Sequence, residues 1–314
     1  MAPKKVLITG AGGMLGRDMT KIFSEDKKYA VFGLIKNDGF KKIPLVHYIT
    51  ANLKDSEKIK KILEDIHPDI IIHCAALVDV GFCEINKKEA NLVNVKATKV
   101  LTETKNKHTK FIYISTDSLF DGKIGNYRET EPTHPLNVYS KSKLEAEKSV
   151  LSADKGSLVI RTHIFGFHIP PRNAIAEWAL QNWKNKKTIN GFTDSFFNPV
   201  YTKQLARTLK HILEKKKISG ILNIGSEEVL SKYFFLKLLA DAFSYETNKV
   251  KPISSNDIQS NIARPKNTSL NTSFFKKTLG QGLSVFDGLN EMKKDYHNFN
   301  IDQVSKKSYS ACQK

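Results

Sequence analysis

The stretch that decides the fold is KVLITGAGGMLG, residues Lys5–Gly16. Its short apolar run predicts a buried strand, and the glycines that follow predict a tight turn from this strand into a helix. Gly10 would make the turn, Gly13 would let the backbone approach a pyrophosphate, and Gly16 would let the helix pack closely against the strand. Because the positive end of the helix lies at this turn, we expect an anionic group to bind there.

Outside this stretch, the first half of the chain alternates short apolar runs with amphipathic segments. Nearly continuous apolar strands that alternate with helices are typical of a parallel sheet covered on both faces. We therefore predict an α/β fold, a Rossmann-type doubly wound parallel sheet with a smaller C-terminal α/β substrate lobe. The predicted strands are Val6–Thr9, Ala30–Ile35, Ile70–Cys74, Phe111–Ser115 and Leu158–Arg161, and the predicted helices between them are Ser56–Ile66, Glu84–Thr104 and Pro135–Leu151.

The pattern changes after Gly166, where a loop with two prolines interrupts the alternation. We expect residues 1–166 to form the dinucleotide-binding domain, to which residues 192–225 return. Residues 167–191 and 226–314 are expected to form the substrate-binding lobe, and the polar residues 304–314 are expected to fray. The second half is predicted to contain helices at 174–183, 201–215, 231–243, 272–279 and 285–296 and a strand at 220–225.

The composition argues against several classes of protein. The chain has 314 residues, of which 40% are hydrophobic, and this is enough for a sizeable core. It has no run of 18 apolar residues, so we expect no transmembrane helix and no membrane partner. The amino terminus is too short for a signal peptide before the first strand, and three cysteines without CxxC spacing argue against a disulfide framework or a zinc site. We therefore expect a cytoplasmic protein.

The formal net charge of +18 would suit a nucleic-acid partner. However, only six of the 50 basic residues are arginine, and the lysines are spread along the chain. A protein that reads phosphates or bases more often clusters its basic residues and favours arginine. We therefore expect no nucleic-acid partner and ascribe the charge to a lysine-rich composition, whose positive field would attract an anionic cofactor and a diphosphate substrate.

The position that meets the adenosine ribose of a dinucleotide comes about 20 residues after the last glycine. Here it is Lys36, followed by Asn37. An acidic residue would bind the 2′-hydroxyl and repel a 2′-phosphate, whereas a lysine could pair with that phosphate. The sequence therefore favours NADPH over NADH, although NADH stays open because Lys36 could be one of many surface lysines.

A Tyr-x-x-x-Lys pair at Tyr139 and Lys143 predicts acid–base chemistry. On a helix these two side chains share one face, and the ammonium would lower the pKa of the phenol. Such a tyrosine can exchange a proton with a carbonyl or alcohol oxygen. The pair alone is common by chance, but Thr116 ends a predicted central strand at the edge where α/β sheets bind ligands. The three residues together form the predicted catalytic group.

The glycine loop, the hydroxyl at a strand end and Tyr-x-x-x-Lys resemble the short-chain dehydrogenases/reductases, and Pro68–Ala76 and Glu89–Val95 resemble their extended branch. Three further segments resemble the dTDP-4-dehydrorhamnose reductase family: Ser115–Gly122, Glu131–Glu145 and Ala263–Asn271. This resemblance covers nearly the whole chain, from Lys5 to about Leu289.

The resemblance implies that Tyr139 protonates O4 while hydride from NADPH reaches C4 of a 4-keto-6-deoxy sugar nucleotide. Lys143 would hold the nicotinamide ribose, and Thr116 would orient the carbonyl. Arg264 could pair with the substrate diphosphate or could be a structural residue. The residues expected to line the cofactor are Gly10, Gly13, Met14, Leu15, Gly16, Lys36, Asn37, Asn52, Leu53, Ala75, Ala76, Asn94, Ser115, Tyr139 and Lys143, and those expected to contact the substrate are Val78, Thr116, Asp117, Tyr139, Asn198 and Arg264.

The chain departs from the family pattern at two places. The family usually carries Thr-Asp-Tyr-Val-Phe-Asp-Gly, whereas this chain has Ser118 and Leu119 at the middle pair. The family often carries Arg-Thr-Ser-Trp after the sixth strand, whereas this chain has His163 and Ile164. That segment borders the reacting sugar, so the exact sugar stays open. Some members form a magnesium-linked dimer whose ligands have no counterpart that we can place, so we predict no metal and leave a homodimer open.

Three functional hypotheses remain beside a nucleic-acid binder. The first is reduction of a nucleotide-bound 4-keto-6-deoxyhexose, with dTDP-4-dehydrorhamnose as the favoured substrate, for surface polysaccharide. The second is an epimerase, dehydratase or epimerase-reductase that acts on another nucleotide sugar. The third is a non-catalytic regulatory subunit on the same fold, like the β subunit of methionine adenosyltransferase; loss of Tyr139 or Lys143 would favour it, but both are present.

Overall fold

The computed structural model describes residues 2–298. The fraying predicted for residues 304–314 lies outside the described residues, and so does Cys312.

A parallel sheet of seven strands forms the centre of the molecule, and its strand order is β3-β2-β1-β4-β5-β6-β11. The order reverses between β1 and β4, which places the ligand crevice of such folds outside the carboxyl ends of these two strands. The predicted doubly wound fold is therefore confirmed. The strands of this sheet are β1 (Lys4–Thr9), β2 (Tyr29–Ile35), β3 (Val46–Thr50), β4 (Ile70–His73), β5 (Lys110–Ile114), β6 (Leu158–Thr162) and β11 (Gly220–Ile224).

Successive side chains along the strands point to opposite faces of the sheet, and helices bury both faces. On one face Val6 and Ile8 pack with side chains of α1 and α8. On the other face Leu7 packs with side chains of α2, α5 and α6. The helices are α1 (Met14–Ser24), α2 (Ser56–Ile66), α3 (Val80–Ile85), α4 (Lys87–Ala90), α5 (Ala97–Thr104), α6 (Val138–Ala153), α7 (Ile175–Lys184), α8 (Thr202–Lys215), α9 (Lys232–Ala242), α10 (Ser273–Leu279) and α11 (Val285–Asn298).

A second hydrophobic core lies among α7, α9 and α11 and includes Phe165, Trp183 and Phe235. Three short strand pairs surround it: β7 (Ile164–Phe165) with β10 (Val200–Tyr201), β8 (Ile189–Phe192) with β13 (Val250–Ile253), and β9 (Phe196–Phe197) with β12 (Leu230–Ser231). The sequence did not predict these pairs or the edge strand β3. Most of them are too short for an alternating pattern, and their pairing depends on contacts between distant segments. The proposed division into two domains stays a prediction.

The single helix predicted over Glu84–Thr104 is wrong. The chain forms α3 and α4 there, then a π-helix over Asn91–Lys96 and finally α5. The break occurs at Asn86, whose backbone (φ −113°, ψ 55°) is not helical. Wider π turns of this kind often occur at functional sites, because they redirect the side chains that the helix carries.

We expect Gly16→Ala to destabilise the protein by about 1–3 kcal/mol, the usual cost of overpacking. An ideal Cβ at this position would overlap the carbonyl oxygen of Gly10, so α1 would have to move away from β1. Urea unfolding followed by circular dichroism measures the change. Gly39→Ala is the matched control, since its Cβ would meet no atom within 4 Å. Equal midpoints for both variants and the wild type would show that the close approach is unimportant.

Candidate active site

The glycine loop forms a tight turn that is held by a backbone hydrogen bond within the loop. Gly10 adopts φ +68°, a conformation that favours glycine, and its carbonyl accepts a hydrogen bond of 2.8 Å from the amide of Gly13. Gly13 is also the residue that caps the amino end of α1, and the first turn of that helix has no acidic residue. The unpaired backbone amides at the start of a helix can bind a pyrophosphate when the neighbouring residues are glycines, because no side chain blocks the approach. The loop therefore suits the phosphates of a dinucleotide.

The two residues that follow the loop, Met14 and Leu15, contact different parts of the protein. Met14 lies against Gly166, the residue after β7. Leu15 is buried in the main core, so only its backbone remains to contact a cofactor.

The residues predicted to surround the ribose lie at the carboxyl ends of β2 and β3. Lys36 and Asn37 are exposed directly after β2, and Asn52 and Leu53 follow β3, with Leu53 half-buried. Across residues 2–298, the Lys36 ammonium makes no hydrogen bond or ion pair within the protein. Its charge is therefore available to an external phosphate.

The segment after β4 approaches the glycine loop closely. The amide of Ala75 donates a hydrogen bond of 3.2 Å to Thr9 Oγ1, and a Cβ on Gly10 would lie 2.9 Å from Ala75. Ala76 is half-buried beside it, and the next predicted contact, Val78, is 65% exposed. Ala75 and Ala76 thus line the crevice from the β4 side.

The buried Asn94 of the π-helix holds this segment in place. Its Oδ1 accepts from the amide of Leu77 (2.7 Å), and its Nδ2 donates to the Leu77 carbonyl (3.0 Å) and to Ser142 Oγ (2.9 Å). The side chain of Asn94 therefore ties the β4 segment to α6, and its predicted place beside the cofactor stays a prediction.

Thr116 and Tyr139 come together at the carboxyl end of β5, as the sequence predicts. Thr116 lies close enough to Tyr139 to act on its phenol. Burial raises the pKa of Tyr139 to about 12, the neighbouring Thr116 hydroxyl acts against this rise, and the negative charge of Asp117 adds to it. The sequence-based expectation of a lowered tyrosine pKa is therefore wrong for the unliganded site, because burial dominates. The phenol keeps its proton near neutral pH.

Lys143 lies one turn further along α6 and is 3% exposed. Its ammonium donates a hydrogen bond of 2.7 Å to the carbonyl of Ile114 and lies 4.1 Å from the ring centre of Tyr113. Burial lowers its pKa to about 7, although the nearby Glu147 and Cys74 favour the charged form. Lys143 therefore combines a fixed position at the end of β5 with a charge that changes near neutral pH.

Two buried hydroxyls at the ends of β5 and β6 have no partner within the described part of the chain. These are Ser115 Oγ and Thr162 Oγ1. An unsatisfied buried hydroxyl costs about 1–3 kcal/mol, so such a group suits a site that a ligand completes. Ser115 lies next to Thr116 and therefore belongs to the candidate cofactor site.

The buried Asp117 is the most heavily hydrogen-bonded residue of the site. Its carboxylate accepts from Thr116 Oγ1 (3.2 Å) and Ser118 Oγ (3.1 Å), pairs with His163 Nδ1 (3.0 Å) and accepts from Thr268 Oγ1. Burial alone would raise the pKa of Asp117, but His163, Thr268 and Ser118 together hold it below its usual range. Asp117 is thus an ionised acceptor whose position is fixed.

The two predicted substrate contacts in the second half of the chain differ. Asn198 is 2% exposed; its amide donates to the carbonyls of Ser226 (3.1 Å) and Leu270 (2.9 Å), and its oxygen accepts from the Leu270 amide (2.9 Å). It therefore joins the backbone segments at Ser226 and Leu270, and its predicted contact with the substrate stays a prediction.

Arg264, by contrast, is exposed and lines a cavity of about 420 Å³ with Lys266 and Phe196. Residues 2–298 offer its guanidinium no ion pair. It is therefore positioned to meet an anionic ligand.

Several residues of the site were not predicted from the sequence. Asn137 caps α6 by accepting from the Ser140 amide (2.9 Å), and it also donates to the Ala263 carbonyl (3.1 Å), which ties the Arg264 segment to the Tyr139 helix. Lys232 is half-buried close enough to Asp117 and Arg264 for their charges to act on it. The Asn-Val-Tyr order could have indicated the cap, but nothing separates Lys232 from the other lysines.

Within residues 2–298, no three His, Cys, Asp or Glu side chains lie together as a metal site would require. The expectation of no metal stays a prediction. The same residues contain no helix with the length and apolar character needed to cross a membrane.

The fold and this edge of the sheet define a short-chain dehydrogenase/reductase of the extended type. The chain belongs to the family whose model is described as "RmlD substrate binding domain", which matches residues 4–297.

Individual relatives carry two different names. The chain is 31% identical over 298 residues to "Methionine adenosyltransferase 2 subunit beta" of Xenopus tropicalis, which covers 92% of this chain and 86% of that protein. It is 29% identical over 289 residues to "dTDP-4-dehydrorhamnose reductase" of Aggregatibacter actinomycetemcomitans, which covers 88% and 93%. The crystal structure of dTDP-4-dehydrorhamnose reductase from Bacillus anthracis in complex with NADP superposes with a TM-score of 0.81 at 22% identity, over 93% of this chain and 99% of that one.

We expect the stability of the wild type to rise relative to Lys143→Met when the pH increases from ~7 to ~9.5. Burial lowers the pKa of Lys143 from 10.5 to about 7, so between these values the unfolded chain holds a proton that the folded chain lacks. The burial cost of the ammonium is therefore full below about pH 7 and is relieved above it. Urea unfolding at both pH values measures the difference. Lys148→Met, on the exposed side of the same helix, should show no such change; an identical pH response of the two variants would contradict the burial effect.

Proposed function

We propose that this protein reduces the C4 ketone of a nucleotide-linked 4-keto-6-deoxy sugar and uses NADPH in preference to NADH. dTDP-4-dehydrorhamnose, which would give dTDP-rhamnose for surface polysaccharide, is the first substrate to test. The observation that carries the proposal is the position of a protonated Tyr139 beside Thr116 at the carboxyl edge of the sheet, one helical turn before the buried Lys143. A cytoplasmic location and a homodimer accompany the proposal as untested expectations.

The proton on Tyr139 suits the role of acid that reduction of a ketone requires. Its raised pKa, about 12, keeps a proton on the phenol, and this proton can be donated to O4 as negative charge develops there. Thr116 lies beside the phenol and would orient the carbonyl. Lys143, fixed at Ile114, would hold the nicotinamide ribose. Bound NADPH would supply the hydride to C4.

The glycine loop and the free Lys36 support a phosphorylated dinucleotide. The glycines of the loop leave the backbone amides at the start of α1 accessible. The exposed Lys36 ammonium at the end of β2 has no partner within residues 2–298. The Bacillus anthracis enzyme with the same fold was crystallised with NADP, which is consistent with this assignment.

We expect Tyr139→Phe to lower kcat by about 10²- to 10⁴-fold, since it removes the proton donor and leaves the ring in place. NADPH oxidation, followed by absorbance with a panel of nucleotide-linked 4-keto-6-deoxy sugars, measures the effect. Tyr29→Phe, at the amino end of β2, is the control and should keep wild-type activity. Undiminished turnover by Tyr139→Phe would exclude this tyrosine as the acid.

We expect Lys36→Glu to raise the KM for NADPH about 10-fold or more and to change the KM for NADH much less, because only NADPH carries the 2′-phosphate. The same assay with both cofactors gives the comparison. Lys61→Glu makes the same charge change on the exposed side of α2 and controls for net charge. A parallel change for both cofactors would show that Lys36 does not read the phosphate.

An epimerase or dehydratase of the same superfamily is a weaker candidate. Such an enzyme begins by oxidising a C4 hydroxyl, with the tyrosine as the base, and none of the named relatives reported above is an epimerase or a dehydratase. It also keeps its NAD bound and consumes none, so stoichiometric NADPH consumption distinguishes it from a reductase.

A non-catalytic regulatory subunit is the second candidate, and the curated relatives favour it. Proteins named methionine adenosyltransferase 2 subunit beta match this chain over 86% to 92% of its length. The test is to add this protein to a methionine adenosyltransferase catalytic subunit and measure its rate. A changed rate, together with no NADPH oxidation on any sugar of the panel, would replace the reductase proposal with this one.

A further inference from the structure

The short segment between β6 and β7 carries a histidine, His163, at the carboxyl edge of the sheet. Its Nδ1 lies 3.0 Å from Asp117 Oδ2, and its ring meets the ring of Phe197 edge-on with the centroids 4.8 Å apart. The side chain is 30% exposed, whereas that of Asp117 is 2% exposed. Asp117 and Phe197 thus fix the imidazole ring of His163, while part of the ring is accessible to solvent.

The environment of Asp117 determines which nitrogen of His163 carries the proton. The Asp117 carboxylate accepts hydrogen bonds from Thr116, Ser118 and Thr268, and these donors help to keep it ionised. An ionised carboxylate can only accept, so the proton of a neutral His163 ring must lie on Nδ1. Nε2 is then an acceptor with a lone pair, in the way that a buried carboxylate orients the imidazole of a catalytic triad.

The Nε2 atom has no hydrogen-bond partner within the part of the chain that the structure describes. It nevertheless belongs to the same hydrogen-bonded group as Thr116, because Asp117 Oδ1 accepts from Thr116 Oγ1, and Thr116 lies beside Tyr139. One buried carboxylate therefore fixes both Thr116 and His163. A sugar whose carbonyl meets Thr116 and Tyr139 would have its ring hydroxyls near this edge.

We propose that His163 is a specificity-determining residue, whose Nε2 accepts a hydrogen bond from a ring hydroxyl of the sugar while Asp117 fixes the orientation of the imidazole. This inference rests on the proposed function, since the hydroxyl belongs to the sugar of that reaction. A site built around an acceptor selects a hydroxyl donor and disfavours a sugar that lacks one, because a bound sugar would displace water from the acceptor and leave it unpaired.

The first test measures binding by calorimetry in the presence of NADP⁺. The probes are dTDP-rhamnose, UDP-glucose and GDP-mannose, each compared with its free nucleoside diphosphate, and the sugar that the wild type binds most tightly is used. His163→Asn keeps an amide that can donate to Asp117 but lacks Nε2. We expect it to weaken binding of the nucleotide sugar about 3- to 10-fold, the value of one hydrogen bond, and to leave the free diphosphate unchanged.

The matched control is His211→Asn, an exposed histidine on α8, which should change neither ligand. Equal weakening of the sugar nucleotide and the free diphosphate by His163→Asn would overturn the proposal, because it would indicate a structural effect. Unchanged binding of both would overturn it as well.

The second test reads the tautomer directly by NMR of protein with ¹⁵N-labelled histidine. The neutral His163 ring should carry its proton on Nδ1. In Asp117→Asn the new amide can donate to Nδ1, so the proton should move to Nε2 and the sugar contact should weaken although His163 is still present. A wild-type ring with its proton on Nε2 would refute the proposed acceptor.

These tests separate the inference from the reductase proposal. If the wild type binds a nucleotide sugar but oxidises no NADPH with any sugar of the panel, the reductase proposal fails while the comparison of His163→Asn still decides the inference. If the wild type binds every sugar nucleotide no more tightly than the free diphosphate, the role of His163 is refuted too.

Discussion

The burial of the parallel sheet on both faces is the constraint on which the rest of the structure depends. Side chains of β1 pack alternately against α1 and α8 on one side and against α2, α5 and α6 on the other. Polar groups on either face would lose their hydration, so they lie where the strands end. All seven strands run in the same direction, and their carboxyl ends therefore share one edge. The residues gathered there are Gly10, Lys36, Ala75, Ser115, Thr116, Asp117 and His163.

The buried Lys143 on α6 shows that placing a charged group at this edge of the sheet has a cost in free energy. Burial alone would remove the charge of Lys143, and two features oppose this: the carbonyl of Ile114 accepts its hydrogen bond, and Glu147 lies one turn further along the helix. Glu147 is itself buried and pairs with Arg161 at 2.9 Å. Removing one member of such a buried pair typically costs about 3–5 kcal/mol, since the other charge is left uncompensated. The position of the catalytic helix thus depends on charges that lie beneath the site.

The substrate side of the site is held by long-range hydrogen bonds. Thr268 donates to Asp117, and Asn137 at the start of α6 donates to the carbonyl of Ala263. The segment that carries Arg264 is therefore bonded to both the strand end and the helix that present Thr116 and Tyr139. These two bonds connect the segment to the catalytic residues. Residues that are distant in the sequence therefore help to position the same site.

The sequence by itself determined the glycine turn, most strands of the main sheet and the placement of Thr116, Tyr139 and Lys143. Glycine spacing, apolar runs and the i, i+4 relation are local, so each can be seen within a few residues. Only the tertiary structure decided the pKa of Tyr139, because burial outweighs the nearby charges. It also decided that Asn198 joins the backbone at Ser226 and Leu270 and that His163 pairs with Asp117 across 46 positions of sequence. These properties depend on which distant groups exclude water from one another, and no local pattern contains that information.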